Sequence, residues 1–372
     1  MKKVVSLFVI ALLMVSCNQE AVLVETPEVT PEVARPIGFD TFVDKSSRAA
    51  GENSTALNDF YPAFCVYGWK TVDGTTTPIF ENYSVSYVDD AAMYEKNYAA
   101  EWGKDFEEGW YYQNLRYWDK MASGYQFCAY APVAATGVVC SKEGQITIGS
   151  STAPVTVETK NLMATPAEKL AFTGFEYDYM TATAGYDGTK TNVTLNFQHL
   201  QAKLNIRIRL NESVTTAQAV TITEIGVHNL GNKGHYDNKA TEGVVSGWKI
   251  TAAEDGYVPA VTTDYPINGS DSKSGYYVLE QLILPQTIKK AATTEPSLTE
   301  FDEACLYVEY KIGEETFKSF SPLANIFTTA ETYKFEGGKQ YTINVIVGPS
   351  PIEFTVDVAK WADAVEENKE MN

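Results

Sequence analysis

From Phe60 onward the chain is built of short runs in which apolar and polar residues alternate, each ended within a few positions by turn formers. Residues 83–88 read Tyr-Ser-Val-Ser-Tyr-Val, and Leu204, Ile206, Ile208 and Leu210 alternate with Asn205, Arg207 and Arg209. A period of two marks a strand with one buried and one wet face. Further strands are predicted over 64–69, 109–112, 115–118, 125–132, 155–157, 220–227, 276–284, 306–312, 341–347 and 352–358. Clusters such as Val72-Asp73-Gly74-Thr75 supply turns between them. One helix is a fair candidate in the first half, over 89–101, and its spacing is weak. Upstream, residues 37–44 read as a short strand in which adjacent Phe42 and Val43 suggest a bulge. Lys45-Ser46-Ser47-Arg48-Ala49-Ala50-Gly51 follows, small and polar, as an exposed stretch. Many short strands and few helices predict an all-β protein of sandwich type. A turn cluster over 185–188 divides it into 37–190 and 191–372.

The first residues carry an address. Lys2 and Lys3 precede an apolar run over 4–16, too short to span a bilayer and the length of a signal-peptide core. It ends in Leu13-Met14-Val15-Ser16-Cys17, which resembles a bacterial lipobox; Met14 stands where Leu is usual. Residues 1–16 are therefore expected to be a lipoprotein signal peptide, with lipid on Cys17 anchoring the chain to the outer membrane. Residues 17–36, with Pro27 and Pro31 spaced among acids, are expected to be an extended tether.

Composition narrows the function classes. At about 150 residues per domain, 372 residues predict two domains. A formal charge of −19 argues against nucleic acid, whose phosphates need clustered Lys and Arg. Three His and five Cys, with no C-x-x-C pair, leave little for a transition-metal site, and no cofactor is expected. The excess lies in aromatics: 23 Tyr, 17 Phe and 6 Trp, which favour strands.

Several runs in order resemble the fimbrillin family, the type V pilins of Bacteroidales. They are Ile37-Gly38-Phe39 closing with Ser47-Arg48-Ala49, Phe64-Cys65-Val66-Tyr67, Tyr117-Trp118, and Tyr125-Gln126-Phe127-Cys128-Ala129-Tyr130-Ala131-Pro132. Next come Asp178-Tyr179-Met180, Phe197-Gln198-His199-Leu200, Ala202-Lys203-Leu204, Gly337-Gly338-Lys339-Gln340-Tyr341 and Trp361. The resemblance implies two transthyretin-like β-sandwich domains with Greek-key character. It also implies export as a lipoprotein and cutting by an arginine-specific protease. Loss of the N-terminal strand then opens a groove, which a strand from another pilin subunit fills.

Arg48 and Ala49 suit that cut, which would remove 37–48; Arg35 is followed by Pro36, which blocks most proteases. Ile352, Phe354, Val356 and Val358 alternate with Glu353, Thr355 and Asp357 as donor-strand candidates within 352–361. The same residues also read as the last strand of their own domain, and both readings stand. Stalk, tip and anchor roles are equally open. The alternative function is a surface lipoprotein that does not polymerise and binds glycan or a host or bacterial ligand. For it, Trp102, Phe106, Trp110, Tyr111, Tyr112, Tyr117 and Trp118 would stack on sugars; as core residues they would pack inward. No enzyme is expected. Acid pairs such as Glu107-Glu108 and Asp89-Asp90 arise by chance in so acidic a chain. His199 reads as a buried histidine, and His228 with His235 lacks a third ligand. Cys65 and Cys128 sit in similar Phe-Cys-x-Tyr runs and are candidate neighbours, with Cys140 and Cys305 also available for disulfides; buried free thiols are the default expectation.

Overall fold

The alternating runs become strands, and the architecture is all-β. A computed structural model of the protein describes residues 35–43, 56–156, 179–186, 192–211, 214, 220–252, 257–261, 265–267, 276–290, 304–328, 330–348 and 352–360. Cys17, Arg48, Ala49 and Trp361 lie outside the described residues, as do the predicted signal peptide and tether through Ala34.

A seven-stranded sheet has the order β1 (Phe39–Val43), β10 (Val193–His199), β9 (Met180–Tyr186), β5 (Gly124–Ala131), β2 (Ala63–Val72), β3 (Thr75–Val88), β4 (Gly109–Tyr111). Its pairs are antiparallel except β1 with β10. A second sheet orders β17 (Tyr276–Ile283), β11 (Ala202–Leu210), β22 (Lys339–Val347) and β23 (Glu353–Lys360). A third orders β15 (Tyr257–Val261), β12 (Val220–His228), β19 (Cys305–Ile312) and β20 (Glu315–Pro322), with β16 (Tyr265–Ile267) also on β12. A fourth joins β14 (Trp248–Ala252), β13 (Lys233–Asp237), β7 (Ile146–Ile148) and β6 (Val138–Cys140), with β8 (Val155–Thr156) on β13. Finally, β18 (Gln286–Lys289) pairs with β21 (Thr332–Phe335).

Inward faces of these strands make two large cores. The first is aromatic and gathers Phe39, Phe64, Phe80, Tyr112, Phe127 and Phe197. Gly68 has to be glycine there, because a Cβ would stand 2.9 Å from the rings of both Phe80 and Phe127. The second core is aliphatic. Leu204, Ile206 and Ile343 of the second sheet meet Ile222, Ile225 and Val308 of the third, the arrangement of a sandwich.

Two local outcomes refine the reading from pattern. β11 departs from the half-wet expectation at Asn205, which is buried. The strand is interior, and its register partners Glu280 of β17 and Thr342 of β22 flank Asn205 on the same face; Arg207 and Arg209 keep partial exposure. The helical stretch forms as two short helices, α1 (Ala91–Asn97) and α2 (Ala99–Trp102). The Asp90 carboxylate caps α1 by accepting from the Ala92 N–H at 2.8 Å, and Gly103 ends α2 with φ +59°.

Candidate strand-exchange groove

Two stretches of chain hold residues 35–43. On one side β1 runs parallel to β10, Phe39 opposite Val193 and Val43 opposite Phe197, without a shift in register. The bulge expected at Phe42 and Val43 is therefore absent. Phe42 turns to the half-exposed side and Val43 inward, so plain alternation accommodates both. On the other side the Ile37 N–H donates to the Arg116 carbonyl at 2.8 Å, and the Trp118 N–H donates to that of Arg35 at 3.3 Å. Pro36 bridges to Tyr117 between them.

The inward row is Ile37, Phe39, Thr41 and Val43, none of them more than 6 % exposed. The Phe39 ring lies in edge contact with Phe64, Phe80, Tyr112 and Phe127, with centroids 5.6–6.1 Å away. Thr41 brings a hydroxyl into this row, and among the described residues its Oγ1 has no partner. At Gly38 a Cβ would run into the Asn192 side chain, whose Nδ2 donates to Asp40 Oδ1 at 3.0 Å.

Tyr112 fastens the strip from beneath. Its buried hydroxyl donates to the Ile37 carbonyl at 2.8 Å and lies 3.2 Å from that of Arg116. Burial pushes the Tyr112 phenol well above its ordinary range, so it stays a donor. Arg116 is fixed in turn: its Nε donates to the Ile79 carbonyl at 2.9 Å, and its guanidinium stacks 5.0 Å from the Tyr83 ring and bonds the Tyr83 hydroxyl. Sequence reasoning missed both residues as parts of this site, because each acts through a backbone carbonyl that the linear pattern does not mark.

The donor-strand candidates lie on an edge of the second sheet. β23 pairs antiparallel with β22, Phe354 opposite Val345 and Val356 opposite Ile343. Ile352, Phe354 and Val356 are half-buried against the aliphatic core, while Val358 is 47 % exposed.

Other singled-out residues take structural places. Tyr111 and Tyr112 are buried, Trp102, Trp110 and Trp118 pack against the aromatic core, and Phe106 packs against the cluster around Tyr94. Tyr117 is exposed. Glu108 binds the Tyr87 hydroxyl and Glu107 binds Lys104 at 3.0 Å, so the adjacent acids serve separate contacts. His199 is buried beside Phe60. His228 is on β12 and His235 on β13, in different sheets, and burial lowers the His228 pKa. Among the described residues no three His, Cys, Asp or Glu side chains converge as a metal site. A polar hollow of about 600 Å³ opens beside β3, lined by Asn82, Tyr83, Asn97, Tyr98, Gln113 and Asn114 among others.

Fold and groove together define an all-β protein whose first described strand is a strap laid along the end of a sheet. The chain belongs to the fimbrillin-like family, whose model matches residues 48–361. β1 lies upstream of that span. Among solved structures, a fimbrial protein from Bacteroides vulgatus superposes with a TM-score of 0.53 at 15 % identity, over 88 % of this chain and 99 % of that one. A candidate cell adhesion protein from Bacteroides uniformis is 17 % identical over 88 % and 98 % of the two chains, with a TM-score of 0.44. Another from Bacteroides ovatus is 14 % identical over 89 % and 99 %, with a TM-score of 0.49. No curated protein matches the chain. The first of these likenesses speaks to fold, and family membership supports a fimbrial or adhesive role at the cell surface.

Proposed function

We propose that the chain is a structural subunit of surface fimbriae, stalk or tip, that assembles by protease-triggered strand exchange. In this reading it is exported as a lipoprotein held to the outer membrane through Cys17. An arginine-specific protease then cuts between Arg48 and Ala49. β1 leaves, and the groove it filled takes a strand from another pilin subunit. A division into two sandwiches belongs to the same proposal, with the boundary moved from 190 to the end of β10, because Val193–His199 is part of the seven-stranded sheet.

One observation carries it. The inward row of the leaving strip is Ile37, Phe39, Thr41, Val43, and the alternate row of the C-terminal strand is Ile352, Phe354, Val356, Val358. Three of the four types coincide in order, and the fourth replaces Thr41 by Val, its near-isostere without the unpartnered hydroxyl. A strand entering along β10 in the direction of β1 would find a matching slot for each side chain. Burying four such groups contributes ~6–12 kcal/mol before ordering costs. The donor stands at a sheet edge with Ile352, Phe354 and Val356 only half-buried and Val358 exposed, so it gives up little cover in its own sheet, whereas the slots left by the departing row bury their occupants almost fully.

The test uses a chain that starts at Ala49 and a synthetic peptide of residues 352–360. Binding at micromolar affinity or better, lost when Phe354→Asp is introduced in the peptide, is the expected result. A peptide of residues 36–44 should compete. Failure of both peptides to bind rejects the groove, and protein from cells that retains residues 17–48 rejects the cut.

The hollow beside β3 favours a second reading, a surface protein that binds glycan without polymerising. Amides and tyrosines suit the hydroxyls and apolar faces of sugars, and neither Lys nor Arg lines it. Binding on a glycan array that disappears in Asn114→Ala, by a chain that remains monomeric after trypsin treatment, would select this reading.

A further inference from the structure

The face of the seven-stranded sheet turned away from the aromatic core carries a group of thiols. In the pairing of β2 with β5, Cys65 lies opposite Tyr130 and Cys128 opposite Tyr67, which puts both cysteines on one face, diagonal to each other. Their chain neighbours Phe64, Val66, Phe127 and Ala129 face the core instead. β6 closes over this face and ends at Cys140. The Cys128 Sγ sits 3.8 Å from the carbonyl oxygen of Ser141, the next residue after Cys140, so the end of β6 lies against Cys128, and each of the two thiols is the main influence on the titration of the other. Cys65 is opposite Tyr130, whose hydroxyl donates to Asn82 Oδ1 at 2.7 Å, while Cys305 is on β19 in another sheet. All four thiols are unoxidised in this structure.

We propose that Cys128 and Cys140 are a disulfide site, closed in the surface-exposed protein by exchange with a disulfide-bearing oxidant. The strands choose this pair over the sequence-level candidate Cys65 with Cys128. The diagonal position across two paired strands separates those two side chains, whereas β6 delivers Cys140 onto Cys128 from above.

Accessibility orders the steps. Cys140 is partly exposed and Cys128 is fully buried, so the oxidant RSSR meets Cys140 first. Contact with Cys140 and, more weakly, the charge of Lys239 favour thiolate on Cys128 against its burial; the second proton of the pair is held above the usual thiol range. Cys140 passes its proton to the neighbouring Cys128 thiolate as its sulfur attacks RSSR, giving Cys140–S–S–R and RS⁻, and RS⁻ then takes that proton from Cys128. Cys128 then attacks the Cys140 sulfur, and the second RS⁻ leaves and is protonated. Two S–H bonds are lost, one S–S bond forms, and RSSR is reduced to two RSH. The product closes the loop 128–140 and ties β6, and through it β7 and β13, to the large sheet.

The setting rests on the surface location in the proposed function, because oxidants outlast reductants there. The experiment separates the two. Purified full-length chain is incubated with oxidised glutathione, alkylated, and digested without reduction for mass spectrometry. The expected product links the peptides that carry Cys128 and Cys140, and leaves Cys65 and Cys305 alkylated. Cys65→Ser should give the same link, whereas Cys140→Ser should give none while its reduced form melts at the temperature of the reduced parent. Complete alkylation, a lasting glutathione adduct on Cys140, or a link through Cys65 overturns the proposal. The same mapping is made on chain recovered from cells, with location set by protease accessibility. Free thiols in surface-located chain overturn the disulfide, and free thiols in chain shielded inside the cell overturn the surface reading instead.

Discussion

Replacement of Phe39 by alanine tests whether the strap is a separable part of the fold. The ring is 3 % exposed and touches four aromatic rings edge-on, so the variant leaves a void that rigid neighbours cannot fill. Losses of this kind run to ~3–5 kcal/mol. The strap's three buried apolar side chains, Ile37, Phe39 and Val43, together contribute only about 4.5–9 kcal/mol. The substitution thus removes about half of what holds β1, and the consequence should be local release rather than a uniform loss of stability. Hydrogen exchange read by mass spectrometry on the uncut chain is the suitable assay. Amides of 39–43 and 193–197 should exchange roughly 150- to 5,000-fold faster, while amides of β12 and β19, in the aliphatic core, should keep their rates. Phe39→Leu, which retains most of the volume, should lie much nearer the parent. Equal acceleration in both cores, or none at β1, would refute the idea of a strap held chiefly by its own inward row.

Three further outcomes follow from the same geometry. Tyr112→Phe removes the donor to the Ile37 carbonyl and should lower stability by about 1–2 kcal/mol in denaturant titrations, with faster proteolysis near residue 37. Thr41→Val replaces a buried hydroxyl that lacks a partner by a methyl of similar size, and should stabilise the uncut chain by about 1 kcal/mol in the same titration. Burial pushes Tyr341 up to about 12. Its phenol is therefore ionised more easily in the unfolded chain, so its contribution is complete below pH 10 and declines as pH rises from 10 toward 12. Tyr341→Phe should flatten that part of the stability curve measured by thermal melting, and an unchanged slope would assign the alkaline loss to other groups.

Inward and outward faces were readable from the chain alone. The pleat has a period of two, so the alternation at 37–43 and 352–358 records which side chains turn to a core before any partner strand is known. Even so, adjacency misled at Phe42 and Val43. Two neighbouring apolar residues suggested a bulge, yet a half-exposed Phe beside a buried Val satisfies plain alternation. Asn205 misled in the opposite way, because polarity predicts a wet face only when that face is uncovered. The match between the two rows was also present in the sequence, but it acquires meaning only once one row is seen to line a groove and the other a sheet edge.

Sequence by itself determined the all-β class and the alternation of β1 and β23, since each depends on local periodicity. Tertiary structure alone decided that β1 pairs in parallel with β10 more than 150 residues away. It alone put Tyr112 under the Ile37 carbonyl and brought the end of β6, with Ser141 O 3.8 Å from the sulfur, against Cys128. These are contacts between segments distant in the chain. They depend on strand order and on how sheets close over one another, and a pattern of period two carries no record of which strand its partner will be.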